Sequence, residues 1–403
     1  MLDPKAPFPP SRCPMHRMDP PTELLETQKE GGGVKIRQWD GVEGWVFTRY
    51  ADVLTGLSDS RASVDPSKPG FPEKSAAYGE VLGKDRTLRT LDGRAHAAQK
   101  RMILDDFSTK RVEEMRPAIQ AKVDALIDAM VEKGSPAELV KDFALGVPTM
   151  IICEILGVPF KDREWFGELG GRCISSVVTA EEAASAGAQL YEYCDTLMSA
   201  KEKEPQDDLT TRLVLEKVHT GKLSRKDAVE LVRFILIAGH ETSAHMIALS
   251  TLALLQNPEQ AALLKENNDP AFLTNAVDEL FRYTSITHIG RRRVAVEDFM
   301  IGDQLVKAGE GLILMNNVGD RDELVFPNAD KLDLKRPNAK DHMAFGAGPH
   351  KCLGAVLAKC ELEVVHGTLW KRLPNLQLAV PFEEIEFNET SSAYGVHKLP
   401  VKW

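Results

Sequence analysis

A mainly helical fold with small β-sheets is predicted from three observations. Across residues 108–257, apolar side chains recur three and four apart, as at Val123, Leu126, Ile127 and Met130, which is the period of a half-buried helix. Two other regions alternate instead, the first at Val34-Lys35-Ile36 and Gly44-Trp45-Val46-Phe47-Thr48, the second over residues 291–306 and 309–316, which is the period of a strand. Finally, one helical pattern opens at Ser224 and meets no proline or strong breaker before Asn257-Pro258.

In chain order, a β-rich edge is expected at about residues 30–65, with a helix from Asp52 within it, and residues 291–316 complete that edge. The helical body occupies about residues 108–290. Ser224 with Asp227 resembles a capping box in which the acid is shortened from Glu to Asp. The helix it opens is a rod roughly 50 Å long, enough to cross a domain. An irregular Pro- and Asp-rich segment, 327–342, precedes a glycine-rich turn at 345–354 and a helix from about Leu353 to Leu373. With 43% hydrophobic and 27% charged residues, no long linker and no repeat, residues 1–403 are read as a single domain.

The net charge of -10 argues against nucleic acid as a partner, because phosphate binding needs clustered Lys and Arg. Six cysteines, at 13, 153, 173, 194, 352 and 360, are too sparse for a disulfide framework and read as intracellular thiols. Residues 1–21 lack the basic start and apolar stretch of a secretory signal. The apolar run at 234–255 has the length of a spanning helix but carries His240, Glu241 and His245 in its middle. A buried central helix, no membrane anchor and a soluble, cytoplasmic protein are expected.

Chemistry is concentrated in Phe345-Gly346-Ala347-Gly348-Pro349-His350-Lys351-Cys352-Leu353-Gly354, which delivers a cysteine to the start of a helix. The macrodipole and free backbone N–H groups there favour a thiolate, the form that binds iron. Gly346 and Gly348 permit φ values closed to other residues, and Gly354 leaves room for a flat cofactor. A plain core thiol is the competing reading of Cys352. A dinucleotide loop is not, because the third glycine and the preceding βαβ strand are missing. Cys360, eight residues on, is more than two turns away along the helix and reads as packing.

On the long helix, Ala238-Gly239-His240-Glu241-Thr242 invites comparison with a zinc protease. His240 and His245 are five apart, however, and at about 100° per residue they point about 140° away from each other. Elsewhere Glu279 and Arg282 share one helix face in Glu279-Leu280-Phe281-Arg282.

The ten residues from Phe345, together with these two segments, identify the chain as similar to the cytochrome P-450 superfamily, over essentially its whole length. The resemblance implies the cytochrome P-450 fold, with a long central helix over haem b and Cys352 as axial thiolate. It implies that Arg336 completes a buried triad with Glu279 and Arg282, and that His96, Lys100, Arg293 and His350 hold the propionates, Lys100 replacing the more usual arginine. Gly239 is then expected to make space for a diatomic ligand above the iron, and Glu241 with Thr242 to handle protons.

Within the superfamily the chain resembles soluble bacterial members, and most of all the fungal nitric oxide reductases and their actinobacterial monooxygenase relatives. The segments concerned include Gly70-Phe71-Pro72-Glu73, Met300-Ile301-Gly302-Asp303 and Arg321-Asp322-Glu323. The first expectation is therefore nitric oxide reduction, with NADH or NADPH giving hydride directly to haem-bound nitric oxide, Thr287 standing where the fungal enzymes have a serine, and Arg291 and Arg292 supplying positive charge. The alternative is a monooxygenase acting on a small apolar substrate with electrons from a ferredoxin-type partner. A gas sensor without turnover is a third class. Asp65 in place of a basic nucleotide contact, Ala393 in place of an aspartate and Glu241 in place of an apolar residue depart from the reductase pattern.

Overall fold

The computed structural model describes residues 2–3, 8–83 and 85–403. Of the N-terminal stretch read above for signal or anchor features, residues 1 and 4–7 lie outside the described ones.

Five strands form the main sheet: β1 (Gly33–Arg37), β2 (Glu43–Phe47), β3 (Ala62–Ser63), β4 (Arg291–Ala295) and β5 (Gly311–Leu314). Their order is β1-β2-β5-β4-β3, with β2 and β5 parallel and the other pairs antiparallel. The two β-rich regions expected from sequence thus meet in one sheet, as Phe47 pairs with Leu314 and Ala62 with Ala295. The expected helix from Asp52 is present as Tyr50–Ser58.

Eight helices place the site: α1 (Gly93–Ile103), α2 (Thr109–Lys133), α3 (Gly146–Leu156), α4 (Arg163–Ile174), α5 (Ala180–Lys203), α6 (Arg225–Gln256), α7 (Pro270–Thr284) and α8 (Ala355–Arg372). Helix α6 is the predicted rod, 32 residues long. Its Ser224 cap accepts from the Asp227 N–H and donates its hydroxyl to the Asp227 carboxylate at 2.8 Å, so the shortened acid still closes the first turn. Residues 246–254 are buried on every side, the mark of a helix inside the core. The hydroxyls of Ser250 and Thr251 are satisfied there by the carbonyls of Met246 and Ile247. Around this axis pack α3, α4, α5, α7 and α8. Among the described residues, no helix is long and apolar enough to cross a membrane.

Candidate functional site

Cys352 lies two residues before Gly354, the residue that caps α8. Its N–H donates to the Phe345 carbonyl at 2.9 Å, closing the turn, while the Phe345 ring sits 4.5 Å from that of Phe281 on α7. Gly346 and Gly348 take φ of 73° and 66°, which favour glycine. At Gly348 a Cβ would also lie 2.8 Å from the Leu57 carbonyl, so the loop lies directly against the end of the Tyr50–Ser58 helix. A Cβ on Gly354 would lie 4.0 Å from the Cys352 sulfur.

The Cys352 thiol is solvent-accessible although protein surrounds it closely enough to affect its titration. Burial pushes its pKa up, opposed by Arg291, the Gly354 N–H, Lys100 and Lys351. Burial therefore outweighs the helix terminus that the sequence suggested would favour the anion. Cys360 is 2% exposed and pushed up to about 12 by burial, as a packing residue should be.

The four residues expected at the propionates converge. His96 on α1 and His350 lie with ring centroids 4.1 Å apart, and the Lys100 ammonium donates to the Pro349 carbonyl at 2.9 Å. Burial lowers His350 to about 3, helped by Arg293, His96 and Lys100; burial also lowers Arg293 to about 9, helped by Arg291. A carboxylate, Asp92, is 3.8 Å from His350, but it already accepts from Ser63 and Val64. The buried Arg291 Nε has no hydrogen-bond partner among the described residues. Cations that depress one another in this way call for an anionic partner.

On α6, the Thr242 hydroxyl donates to the Ala238 carbonyl at 2.6 Å, a bond that threonine commonly makes within a helix. Glu241 is directed at α4, its Oε1 2.9 Å from where a Gly171 Cβ would be, and burial alone raises its pKa to about 7. The absent side chain of Gly239 faces α3, where a Cβ would lie 2.7 Å from the Ile152 Cδ1, so this glycine lets the two helices approach. Thr287 is half-buried in the loop between α7 and β4, and among the described residues it makes no hydrogen bond to Glu241 or Thr242. His240 meets the edge of Phe166, whereas His245 lies against Gly395. The two histidines do point apart.

Arg336 completes the buried triad. Arg282 holds Glu279 through Nε at 2.7 Å and Nη2 at 2.8 Å, and Arg336 Nε reaches the same carboxylate at 3.0 Å. The remaining guanidinium donors bond the carbonyls of Asp320, Pro327, Asn328, Ala329 and Lys331. Two buried cations thus fasten the irregular segment that leads to the Cys352 loop.

Two further groups escaped the sequence reading. Arg291 was read as surface charge for a nucleotide, yet it is held beside Gly346 and bonds the Ala344 carbonyl at 3.1 Å. Glu361 on α8 is 2% exposed and is raised to about 7 by burial, opposed by Ser243 of α6, and its Oε2 has no hydrogen-bond partner among the described residues. An acid within the apolar run of α8 was the available signal.

The family profile described as Cytochrome P450 matches residues 179–403. Cytochrome P450-SU2 of Streptomyces griseolus is 42% identical over 395 residues, covering 98% of this chain and 96% of its own. Vitamin D3 dihydroxylase of the same organism is 37% identical over 397 residues, with 98% and 96% coverage. Among solved structures, the mycinamicin VIII C21 methyl hydroxylase MycCI from Micromonospora griseorubida, bound to mycinamicin VIII, gives a TM-score of 0.91 at 36% identity, covering 98% of this chain and 100% of its own.

Proposed function

The chain belongs to the cytochrome P450 family, and from that premise we propose that it is a haem-thiolate monooxygenase that hydroxylates an organic substrate with an apolar body, using electrons from an external ferredoxin-type partner. The observation that carries this reading is the acid and alcohol at the centre of α6. Glu241 keeps its proton up to about pH 7, and Thr242 next to it has its hydroxyl bound, among the described residues, to a helix carbonyl alone, so both are fitted to supply protons near neutrality.

The residues fit haem. Cys352 presents an accessible thiol, Arg291 brings a buried Nε that is unpartnered among the described residues, and the charges of Lys100 and Arg293 with the imidazoles of His96 and His350 form a donor cluster suited to two propionates. Haem, when bound, supplies the redox centre that activates dioxygen for insertion into a C–H bond. The protein's part is to hold the sulfur on a loop pinned by Arg282 and Arg336, to neutralise the propionates, and to hold protons at the Glu241 carboxyl and the Thr242 hydroxyl.

Nitric oxide reduction with direct hydride from NADH or NADPH, the first expectation from sequence, is not supported. Relatives with a printed activity include a dihydroxylase, a methyl hydroxylase and a P450 that carries out aliphatic and aromatic hydroxylation of thaxtomin. One segment that suggested a reductase, Arg321-Asp322-Glu323, is engaged in holding the fold. Arg321 pairs with Asp19 at 2.9 Å, Asp322 accepts from the Tyr50 N–H, and Glu323 accepts from the N–H groups of Asn328 and Ala329. Asp65 is kept ionised by the Ser67 hydroxyl and N–H, which outweigh its burial, and a carboxylate there repels nucleotide phosphates.

The test uses the purified holoenzyme with ferredoxin, ferredoxin reductase, NADH, isotopically labelled dioxygen and a panel of apolar substrates. One labelled oxygen atom in an organic product, dependent on ferredoxin, is expected. Oxidation of NADH under anaerobic nitric oxide without any partner, with nitrous oxide released, would overturn the reading.

A further inference from the structure

Beside the cleft, three cations gather around one phenol without ion-pair partners. The Lys74 ammonium donates to the Tyr78 hydroxyl at 3.2 Å and lies 4.2 Å from the ring centroid, and Arg89 lies 5.3 Å from the same centroid. Arg292, on β4, is 7% exposed, and its Nε and Nη1 have no hydrogen-bond partner among the described residues; Arg89 Nε and Nη2 lack one too. Among the described residues, none of the three forms a salt bridge. A counter-charge is present in Glu73, whose carboxylate accepts from the Lys74 backbone N–H at 3.1 Å and acts on Arg292 together with Asp40.

The field is strong enough to be read in Tyr78. Burial pushes its phenol up, yet Lys74 and Arg89 more than reverse this and leave it below its ordinary pKa. A place that lowers a buried phenol is one that stabilises a negative charge. Its position is tied to the cleft, since Arg291 is influenced both by Cys352 and by Tyr78, and His288, next to Thr287, by Lys74.

We propose that Lys74, Arg89 and Arg292 form an anion-binding subsite beside the haem cleft that takes the carboxylate of an organic-acid substrate. The fork of a guanidinium matches a carboxylate in two parallel bonds, and the unpartnered nitrogens of Arg89 and Arg292 supply such donors. Glu73 already offsets one of the three charges. That balance suits a singly charged carboxylate better than the polyanionic pyrophosphate of a nucleotide. With the acid anchored here, the apolar remainder of the molecule extends toward Cys352, so the subsite sets both which molecule enters and which carbon is presented. Turnover of such an acid rests on the monooxygenase reading; its binding does not.

The experiment titrates the ferric holoenzyme with dodecanoate, methyl dodecanoate and NADH, following the haem absorption shift and, independently, the heat of binding. Dodecanoate is expected to bind about tenfold tighter than its ester, as one charge-assisted contact provides. In Arg292→Gln and in the less buried Arg89→Gln, the preference should shrink to about twofold or less, with the carbon monoxide spectrum and Tm of the wild type retained. Equal binding of acid and ester, no binding of either, or a preference that survives both substitutions overturns the subsite. NADH binding that Arg292→Gln weakens, without an acid preference, also overturns it, in favour of nucleotide phosphates. Ferredoxin-dependent hydroxylation of neutral substrates alone would sink the subsite and leave the monooxygenase; an acid preference without turnover would do the reverse.

Discussion

Arg336 and Glu279 are joined across 57 residues by an ion pair of 3.0 Å in which the carboxylate is fully buried and the guanidinium nearly so. Breaking such a pair from one side leaves a buried charge without its partner. Arg336→Ala is expected to lower stability by about 3–5 kcal/mol, and Glu279→Ala by a similar amount. Replacing Glu279, Arg282 and Arg336 together by apolar residues should cost less than either single change. Denaturant unfolding of the holoenzyme, with haem release followed in parallel, checks the order; a single change as mild as the triple one would refute the account.

Cys352→Ala should abolish the spectrum of the reduced carbon monoxide complex typical of thiolate-bound haem. Cys360→Ala should leave it unchanged, because that thiol is buried within α8. The converse pattern would show that the wrong sulfur has been assigned.

Glu241 makes stability depend on pH. Its pKa rises from the usual 4.5 to about 7 on folding, so the native state holds the proton more tightly than the unfolded one. Below pH 4.5 both states are protonated and the group contributes nothing; between 4.5 and about 7 the unfolded state ionises while the native one keeps its proton, so stability falls over that window and levels off above it. Glu241→Gln should therefore match the wild type near pH 4 and exceed it at pH 8 by about 1–3 kcal/mol. Chemical denaturation at the two values measures the difference, and a gap that closes with rising pH contradicts it. Product formation by the wild type should also fall as pH passes 7, with the fall weakened in the Gln variant.

Gly239 is packed against Ile152 at a distance that admits no Cβ. Gly239→Ala should destabilise the protein by about 1–3 kcal/mol. Because the obstructing atoms are the tip of an isoleucine, adding Ile152→Ala should recover part of that loss. Thermal unfolding of the two single variants and the double one gives the coupling, and strict additivity would show that the two residues do not meet.

The parts of the fold legible in the sequence were those fixed by local chemistry. A capping serine, an unbroken apolar period and a terminal Asn257-Pro258 define α6 without any knowledge of its neighbours. The Cys352 turn was equally plain, since glycines at 346 and 348 are needed for its positive φ. Periodicity gives the direction of a side chain but not the identity of what it meets, so the approach of Ile152 on α3 to Gly239 could not be read from sequence. His96 and His350 are 254 residues apart, so their contact was reachable only through a family resemblance. Arg291 and Glu361 look like surface charges in a sequence, and only the packing around them shows that they are inside. The Arg321-Asp322-Glu323 segment misled for a related reason: residues that hold a shared architecture resemble one another whatever reaction the architecture carries.

The crowding of His96, Lys100, Arg293 and His350 bears on how the protein is made. A chain folding ahead of its cofactor must gather these groups against their mutual repulsion, with Asp92 already committed to Ser63 and Val64. An anion seated there would relieve that repulsion, so filling the site should raise the stability of the fold as well as equip it for chemistry.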